Sequence, residues 1–297
     1  MPAWGPILAA TDFSAAARHA ADRAARLAQE SGAALSLLHV LPGGALQELR
    51  QWLGVGSAAE QQLQAEARDQ LQQQAAELQA ARGVAVRSIE AAGAAVDEIV
   101  REAASLDAAL LVLGARGQGF LRRLVLGSTA ERLLRRTTRP LLVVRQTPYR
   151  AYRRVLLALD FSPWSRAALA LARCIAPRAH LLLLNAWEVP FEGKLQLAGV
   201  TAATIDGYRQ RARTDAASRL QDLAAAAGLR AGQWTSCLVE GEASLAIVEQ
   251  EQQHDCDLVV LGKHGRSVTE DLLLGSVTRH VLAEGRADVL VSTQHPA

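Results

Sequence analysis

Short apolar runs alternate with longer amphipathic stretches along this chain. Ile7–Ala10 predicts a strand and Ala15–Glu30 a helix. A strand follows at Ala34–Val40. A Gln- and Ala-rich helix then runs through about Ser57–Ala81, with Leu63, Ala67, Leu71 and Leu78 on one face. Val84–Ile89 reads as a strand, Val96–Ala104 as a helix and Ala109–Leu113 as a strand. A helix opens at Gly127, and a last strand runs Leu141–Val144. The second half repeats this order from Val155 to Val291. Strands that are apolar throughout, alternating with helices, predict a parallel sheet covered on both faces.

The repetition extends to motifs. Ile7–Ser14, ILAATDFS, is echoed by Leu156–Ser162, LLALDFS. Each apolar run ends in Asp-Phe-Ser, at Asp12-Phe13-Ser14 and Asp160-Phe161-Ser162. Late in each half, LVLGARGQGFLRRLVLGS ends at Ser128 and VVLGKHGRSVTEDLLLGS ends at Ser276. Both pairs of motifs are 148 residues apart. A period this long signals duplicated domains and not a solenoid. The polar stretch RQTPYRAYRR, broken by Pro148, marks the boundary, giving domains at 1–147 and 152–297.

Composition narrows the function classes. With 297 residues, half of them hydrophobic, each half can bury a core of its own. The net charge of +2 lacks the basic excess of a dedicated nucleic-acid binder, so no nucleic-acid partner is expected. No stretch approaches the roughly 20 apolar residues of a membrane helix. The N-terminus shows no basic n-region and no apolar core segment before Asp12, so no signal peptide is expected. Cys174, Cys237 and Cys256 form no CxxC pair, which suits a reducing, cytoplasmic setting.

The candidate chemistry is a glycine motif: Gly-x-x-Gly, nine residues, then Gly-Ser. It occurs as Gly114, Gly117, Gly127 and Ser128, and again as Gly262, Gly265, Gly275 and Ser276. Each copy follows a buried-type strand and ends where a helix should begin. Glycines permit close backbone approach to a ligand. A Gly-Ser pair opening a helix offers free N–H donors, a hydroxyl and the positive end of the helix dipole, which together favour phosphate. Turn glycines and helix caps would explain one copy equally well. Two copies in register favour the ligand reading, although duplication copies structural glycines as readily as functional ones. Asp12 and Asp160 follow the first strand of each half, where a carboxylate can accept hydrogen bonds from a nucleoside. The competing role is N-capping, which is assigned here to Ser14 and Ser162.

Rival signatures are missing. There is no Walker-type phosphate loop, no strand-linked Gly-x-Gly-x-x-Gly, no HExxH and no nucleophile elbow. Of the seven histidines only His264 falls inside a proposed site; the others read as surface or packing residues. No general base or metal constellation suits fast hydrolysis, so no catalytic residue is assigned and slow hydrolysis stays open.

With the early Asp ending the first strand, the pattern Gly-x-x-Gly-x9-Gly-Ser resembles the ATP-binding universal stress proteins, over both halves and nearly the whole chain. The resemblance implies an α/β fold of two tandem domains, each a five-stranded parallel sheet flanked by helices. That architecture is Rossmann-like, of the adenine nucleotide alpha hydrolase-like type. It implies ATP as ligand, with or without Mg2+. It places a first site at Thr11, Asp12, Val40, Gly114, Arg116, Gly117, Gly127, Ser128 and Thr129. The second comprises Asp160, Ala186, Gly262, His264, Gly265, Gly275, Ser276 and Val277. Val40 and Ala186 would pack on the base. The copies diverge at two places. Arg122 and Arg123 face Glu270 and Asp271 in the alignment, and Arg139-Pro140 becomes Ala287-Asp288. The extra arginines predict a modestly tighter first site.

The function expected from this resemblance is a stress-response role exercised through nucleotide-dependent conformation or a protein partner the sequence does not identify. A nucleotide-dependent ligase or transferase of the same architecture is the alternative. It would be expected to show a Ser-Gly-Gly-x-Asp-Ser loop or a His-x-Gly-His signature, and neither is present. A degenerate scaffold that binds no nucleotide is a third reading. The last strands, Leu141–Val144 and Val289–Val291, are apolar and lack a guarding Lys or internal Pro. They are expected to pair with each other, making the two domains an intramolecular pseudo-dimer, with further homo-oligomerisation open.

Overall fold

A computed structural model describes residues 4–44, 51–52, 58–115, 127–189, 194, 197–263 and 275–293. The chain divides into two compact units. The first is Met1–Ala151 together with Asp288–Thr293; the second is Tyr152–Ala287 with the last four residues.

In the first unit the chain runs β1 (Ile7–Thr11), α1 (Ala15–Ser31), β2 (Leu35–Pro42), α2 (Ala58–Arg82) and β3 (Val86–Gly93). It continues through α3 (Ala95–Ser105), β4 (Leu110–Gly114), α4 (Ser128–Arg136) and β5 (Leu141–Val144). β1 lies between β2 and β4, with β3 beyond β2 and β5 beyond β4, all parallel. The core is the apolar content of β1, β2, β4 and β5. Ile7, Leu8, Leu37, Leu38, Leu110 and Leu142 are completely buried. The alanines of α1 are the reason it lies so close to this sheet: Ala20, Ala21, Ala24 and Ala25 are fully buried and leave little between backbone and strand. Ser14 caps its start by accepting the Ala17 N–H, and Gly32 ends it in the left-handed region at φ 72°.

Two sequence expectations need correcting here. The third strand begins and ends later than Val84–Ile89, because its pairing with β2 continues to Pro42 opposite Gly93. Its edge position leaves only alternate residues covered, so it lacks the apolar run that marks the central strands. On α2, Ala67, Leu71 and Leu78 are buried as expected, but Leu63 is exposed. The helix meets the apolar core only from Ala67 onward, where it packs against Leu41.

The sixth strand of this unit is β10, Asp288–Ser292, which pairs antiparallel with β5 in the register Val289–Val143, Leu290–Leu142 and Val291–Leu141. The unguarded edge of β5 is thereby covered by the equally apolar β10. Asp288 fixes the junction. Its side chain is fully buried, one carboxylate oxygen accepts the N–H groups of Arg145 and Gln146, and the other lies 3.3 Å from Arg23 Nε. Arg23 and Arg26 on α1 donate to the carbonyls of Arg150 and Tyr149. The segment after β5 is thus pinned to α1 and does not act as a free tether.

The second unit runs β6 (Arg154–Ala158), α5 (Pro163–Ile175), β7 (His180–Trp187), α6 (Ala202–Ala226), β8 (Trp234–Glu240), α7 (Ala243–Gln253), β9 (Leu258–Gly262) and α8 (Ser276–Glu284). Its strands lie in the order β9-β6-β7-β8, all parallel. Buried Glu251 of α7 accepts the N–H groups of Arg286 and Ala287, fixing the chain after α8. The register shows how the copies align: Ile7 pairs with Leu35, and Val155 with Leu181. The offset of 148 at the first strand becomes 146 at the second, because α5 and its connection are two residues shorter. Val40 and Ala186 therefore occupy equivalent positions.

Candidate functional site

The carboxyl ends of β1, β2 and β4 in the first unit, and of β6, β7 and β9 in the second, carry most of the residues singled out by sequence. This is where open α/β sheets place ligands. Immediately after β1 and β6 the chain makes the same sharp turn. Phe13 and Phe161 adopt positive φ, 62° and 61°. For a bulky residue that conformation costs on the order of 1–3 kcal/mol. The turn lets each Asp accept the N–H two residues on: Ser14 to Asp12 at 3.0 Å and Ser162 to Asp160 at 2.9 Å.

Each turn is anchored from the neighbouring strand. His39 Nδ1 lies 2.9 Å from the Thr11 carbonyl, so this nitrogen carries the proton. Asn185, the residue aligned with His39, donates to the Leu159 carbonyl at 2.6 Å. Thr11 is buried and donates its hydroxyl to Gln74 of α2 at 3.1 Å. These polar anchors escape a sequence reading because His39 and Asn185 share no chemistry except the ability to donate to a carbonyl.

In the second unit a cavity of about 180 Å³ brings together Asp160, Ala186, Gly262, Gly275, Ser276 and Val277. These are all the proposed second-site residues that fall among the described ones; His264 and Gly265 lie outside them. Asp160 Oδ1 also accepts the Ser165 hydroxyl, at 3.0 Å, while Oδ2 is buried with no hydrogen-bond partner among the described residues. Ser162 stands at the N-cap of α5, but its side chain makes no capping bond, contrary to expectation. Its Oγ is buried and likewise without a hydrogen-bond partner among the described residues, and Ser162 lines the cavity. The helix starts on Pro163, whose missing N–H leaves one fewer donor to satisfy. Trp164, Ser165 and the buried Lys263 line the same cavity and were not in the sequence-derived set.

The glycines separate into two kinds. A Cβ on Gly114 would stand 2.7 Å from the carbonyl carbon of Ala16, so this residue is glycine because α1 begins against the end of β4. Gly275 has no such reason. Its φ of −57° suits any residue, and among the described residues a Cβ would meet nothing closer than the Lys263 carbonyl at 3.6 Å. Gly127 is the N-cap of α4 at φ −60°, and its N–H donates to the Ala115 carbonyl at 2.9 Å. Among the described residues neither helix start carries a side-chain cap, the arrangement that leaves first-turn N–H groups for a ligand. Ser128 and Ser276 are exposed in the first turns, followed by half-buried Thr129 and Val277. Arg116 and Gly117 lie outside the described residues. Thr11, Asp12, Val40, Gly114 and Gly127 gather at the strand ends of the first unit, with Thr11 in line with Gly114 from the pairing of β1 with β4. Among the described residues no cluster of His, Cys, Asp or Glu side chains could hold a metal ion, and no helix is long and apolar enough to cross a membrane.

Comparison with known proteins adds the family. The universal stress protein family model matches residues 3–145 and again 151–292. A universal stress protein of Mycobacterium tuberculosis is 30% identical over 203 residues, covering 64% of this chain and 63% of the relative. The matched chain thus spans less than two thirds of that relative's length. The universal stress protein YxiE of Bacillus subtilis is 32% identical over 146 residues, 47% of this chain and 97% of its own. The fold is shared with the crystal structure of a universal stress protein from Archaeoglobus fulgidus, with a TM-score of 0.72 at 18% identity, covering 96% of this chain and 97% of the other. A functionally unknown protein from Pseudomonas aeruginosa gives a TM-score of 0.60 at 20% identity, covering 97% of this chain and 92% of the other. Two matches of one family model, each over an α/β unit with its own strand-end motif, show that this chain belongs to the universal stress protein family and carries two of its domains in tandem.

Proposed function

We propose that both domains bind adenine nucleotide, with ATP the first candidate, and that the protein regulates through nucleotide-dependent conformation or partner binding in the cytoplasm. The observation that carries this reading is the second-unit cavity. It gathers a carboxylate oxygen and a hydroxyl that are buried without partners among the described residues, a buried lysine, and a helix start at Gly275 with no side-chain cap among those residues. A buried unsatisfied polar atom costs about 1–3 kcal/mol, so a site that keeps two of them is built to be completed by something else. A nucleoside offers donors to Asp160 Oδ2, and its phosphates suit Lys263 and the N–H groups of α8.

Gly275 provides a clean test because neither its backbone angles nor its neighbours require glycine. The double variant Gly127→Leu, Gly275→Leu should keep its fold and lose at least tenfold in ATP affinity by calorimetry, about 1.4 kcal/mol. Fluorescence of Trp164, which lines the cavity, should change on titration of the unmodified chain with ATP. Unchanged ATP affinity in the double variant would remove these helix starts from the site.

A further inference from the structure

The first unit contains a second cavity, of about 470 Å³, between the start of α3 and the outer face of α4. Arg132, Arg135 and Arg136 line it from α4, beside Thr129 of the first proposed nucleotide site. Their spacing of three and four residues puts all three on one face of the helix. Opposite them are Ala94, Ala95, Val96 and Asp97, the N-cap and first turn of α3. Alanine is a poor N-cap, and among the described residues no side-chain cap bond is made at this helix start. Two acidic groups offset part of the positive charge: Asp97, which also lines the cavity, pairs with Arg136, and Glu131 pairs with Arg135 at 2.7 Å. Arg132 is exposed and makes no ion pair among the described residues. Three cations, one of them uncommitted, and an uncapped helix start thus border one hollow.

The second copy shows what this frame accommodates. Glu242 stands 148 residues after Ala94, as the N-cap of α7. Its carboxylate accepts the N–H groups of Ser244 at 3.1 Å and Leu245 at 3.0 Å, and the Ser244 hydroxyl. His280 of α8, aligned with Arg132, lies near enough for its charge to favour the ionised carboxylate. Burial works against ionisation, but these hydrogen bonds prevail and hold Glu242 below the usual carboxylate range. The second copy therefore seats an oxyanion on this helix start with a single basic residue opposite. The first copy has alanine at the cap and arginine at 132, 135 and 136, where the second has His280, Ala283 and Glu284.

We infer that the first domain binds a small, multiply charged phosphate compound between the start of α3 and the arginines of α4, where the second domain carries the built-in carboxylate of Glu242. Planar guanidinium groups match phosphate oxygens bidentately, and three of them suit a higher charge than one carboxylate. The cavity adjoins the first Gly-Ser helix start through Thr129, but the inference rests on the arginine face of α4 and stands whether or not that start binds nucleotide.

Inorganic pyrophosphate is the probe. It is titrated calorimetrically into the full chain carrying Gly127→Leu and Gly275→Leu, so that the helix starts proposed for nucleotide phosphates are blocked. One pyrophosphate should bind, with amide shifts at Ala95, Val96 and Asp97 in NMR spectra. Adding Arg132→Ala with Arg135→Ala should weaken binding at least tenfold. Adding Ala94→Glu instead grafts the second copy's cap into the first, which supports the helix while filling its anion position. It should weaken pyrophosphate to the same degree. Citrate at equal concentration should bind at least tenfold more weakly than pyrophosphate. Absence of pyrophosphate binding in the glycine double variant, unchanged affinity after Ala94→Glu, or equal binding of citrate would each overturn the inference. None of these outcomes bears on ATP binding by the unmodified chain.

Discussion

Phe13 and Phe161 hold the same strained backbone at the same place in the two domains, yet their rings rest on different neighbours. Phe13 stacks on His39 with ring centroids 4.3 Å apart, whereas Phe161 lies under the guanidinium of Arg219 at 4.5 Å. The same division recurs elsewhere. His39 and Asn185 both hold a strand-end carbonyl with different chemistry. Ala94 and Glu242 begin equivalent helices, one uncapped and one capped by its own carboxylate. Pro140 stands just before β5 and Asp288 opens β10, and only the latter anchors a buried network. Duplication has kept the backbone path that shapes each strand end, while the polar groups that fill the space beside it have changed freely. The two domains share a frame and differ in what that frame holds.

The sharpest way to break the comparison is at Asp288. Asp288→Ala removes the carboxylate facing buried Arg23 and the acceptor of two backbone N–H groups. Breaking a buried pair from one side typically costs about 3–5 kcal/mol. Urea unfolding of the full chain should show a loss of that size, whereas Arg139→Ala, next to the corresponding position of the first copy, should cost far less, because its partner Asp107 is exposed. A loss below about 1 kcal/mol for Asp288→Ala would mean that the network is ornamental.

Next in size is the difference between the two proposed nucleotide sites. Asp12→Ala and Asp160→Ala, titrated separately with ATP at low salt, leave the second and the first site respectively. The first site should be the tighter by a few fold, since Arg116, Arg122 and Arg123 outnumber the cations of the second loop. Buried Lys263, replaced by Ala115 in the first copy, narrows the gap. Exposed charges are screened, so the difference should shrink with added salt. Equal residual affinities would show that the loop charges do not distinguish the copies.

The smallest effect belongs to Glu242. Its folded-state acidity is stronger than normal, so the stability it contributes is present above the ordinary glutamate range and lost as pH falls through its lowered value. Glu242→Gln should therefore be slightly less stable than the parent near pH 6, with the two converging in acid. A constant offset at all pH values would place the effect in packing and not in charge.

Much of this was legible in the sequence because it is local. Strand and helix alternation, the 148-residue offset and the position of each Gly-Ser pair at a helix start all follow from short-range pattern. What sequence could not supply was long-range. Gly114 reads as a ligand glycine, while the packing demand from Ala16 arises only when β4 and α1 come together. Ser162 looked like a cap, but beside Pro163 and the cavity its hydroxyl is buried and makes no hydrogen bond among the described residues. Leu63 fits the helical stripe, but α2 has not yet reached the apolar core there. Asp288 was visible as a departure from the first copy, while its partner Arg23 is 265 residues away.

The pairing of β5 with β10 has a consequence for synthesis. Val143 must wait for Val289, which leaves the ribosome 146 residues later. At about 5–20 residues per second this interval is roughly 7–30 s. Throughout it the first domain carries an apolar edge strand, while Arg23 has no carboxylate from Asp288 to meet. The nascent chain thus passes through a period in which its first half is nearly complete yet open along one edge. Chaperones and neighbouring nascent chains on the same message would meet that edge before its own partner does.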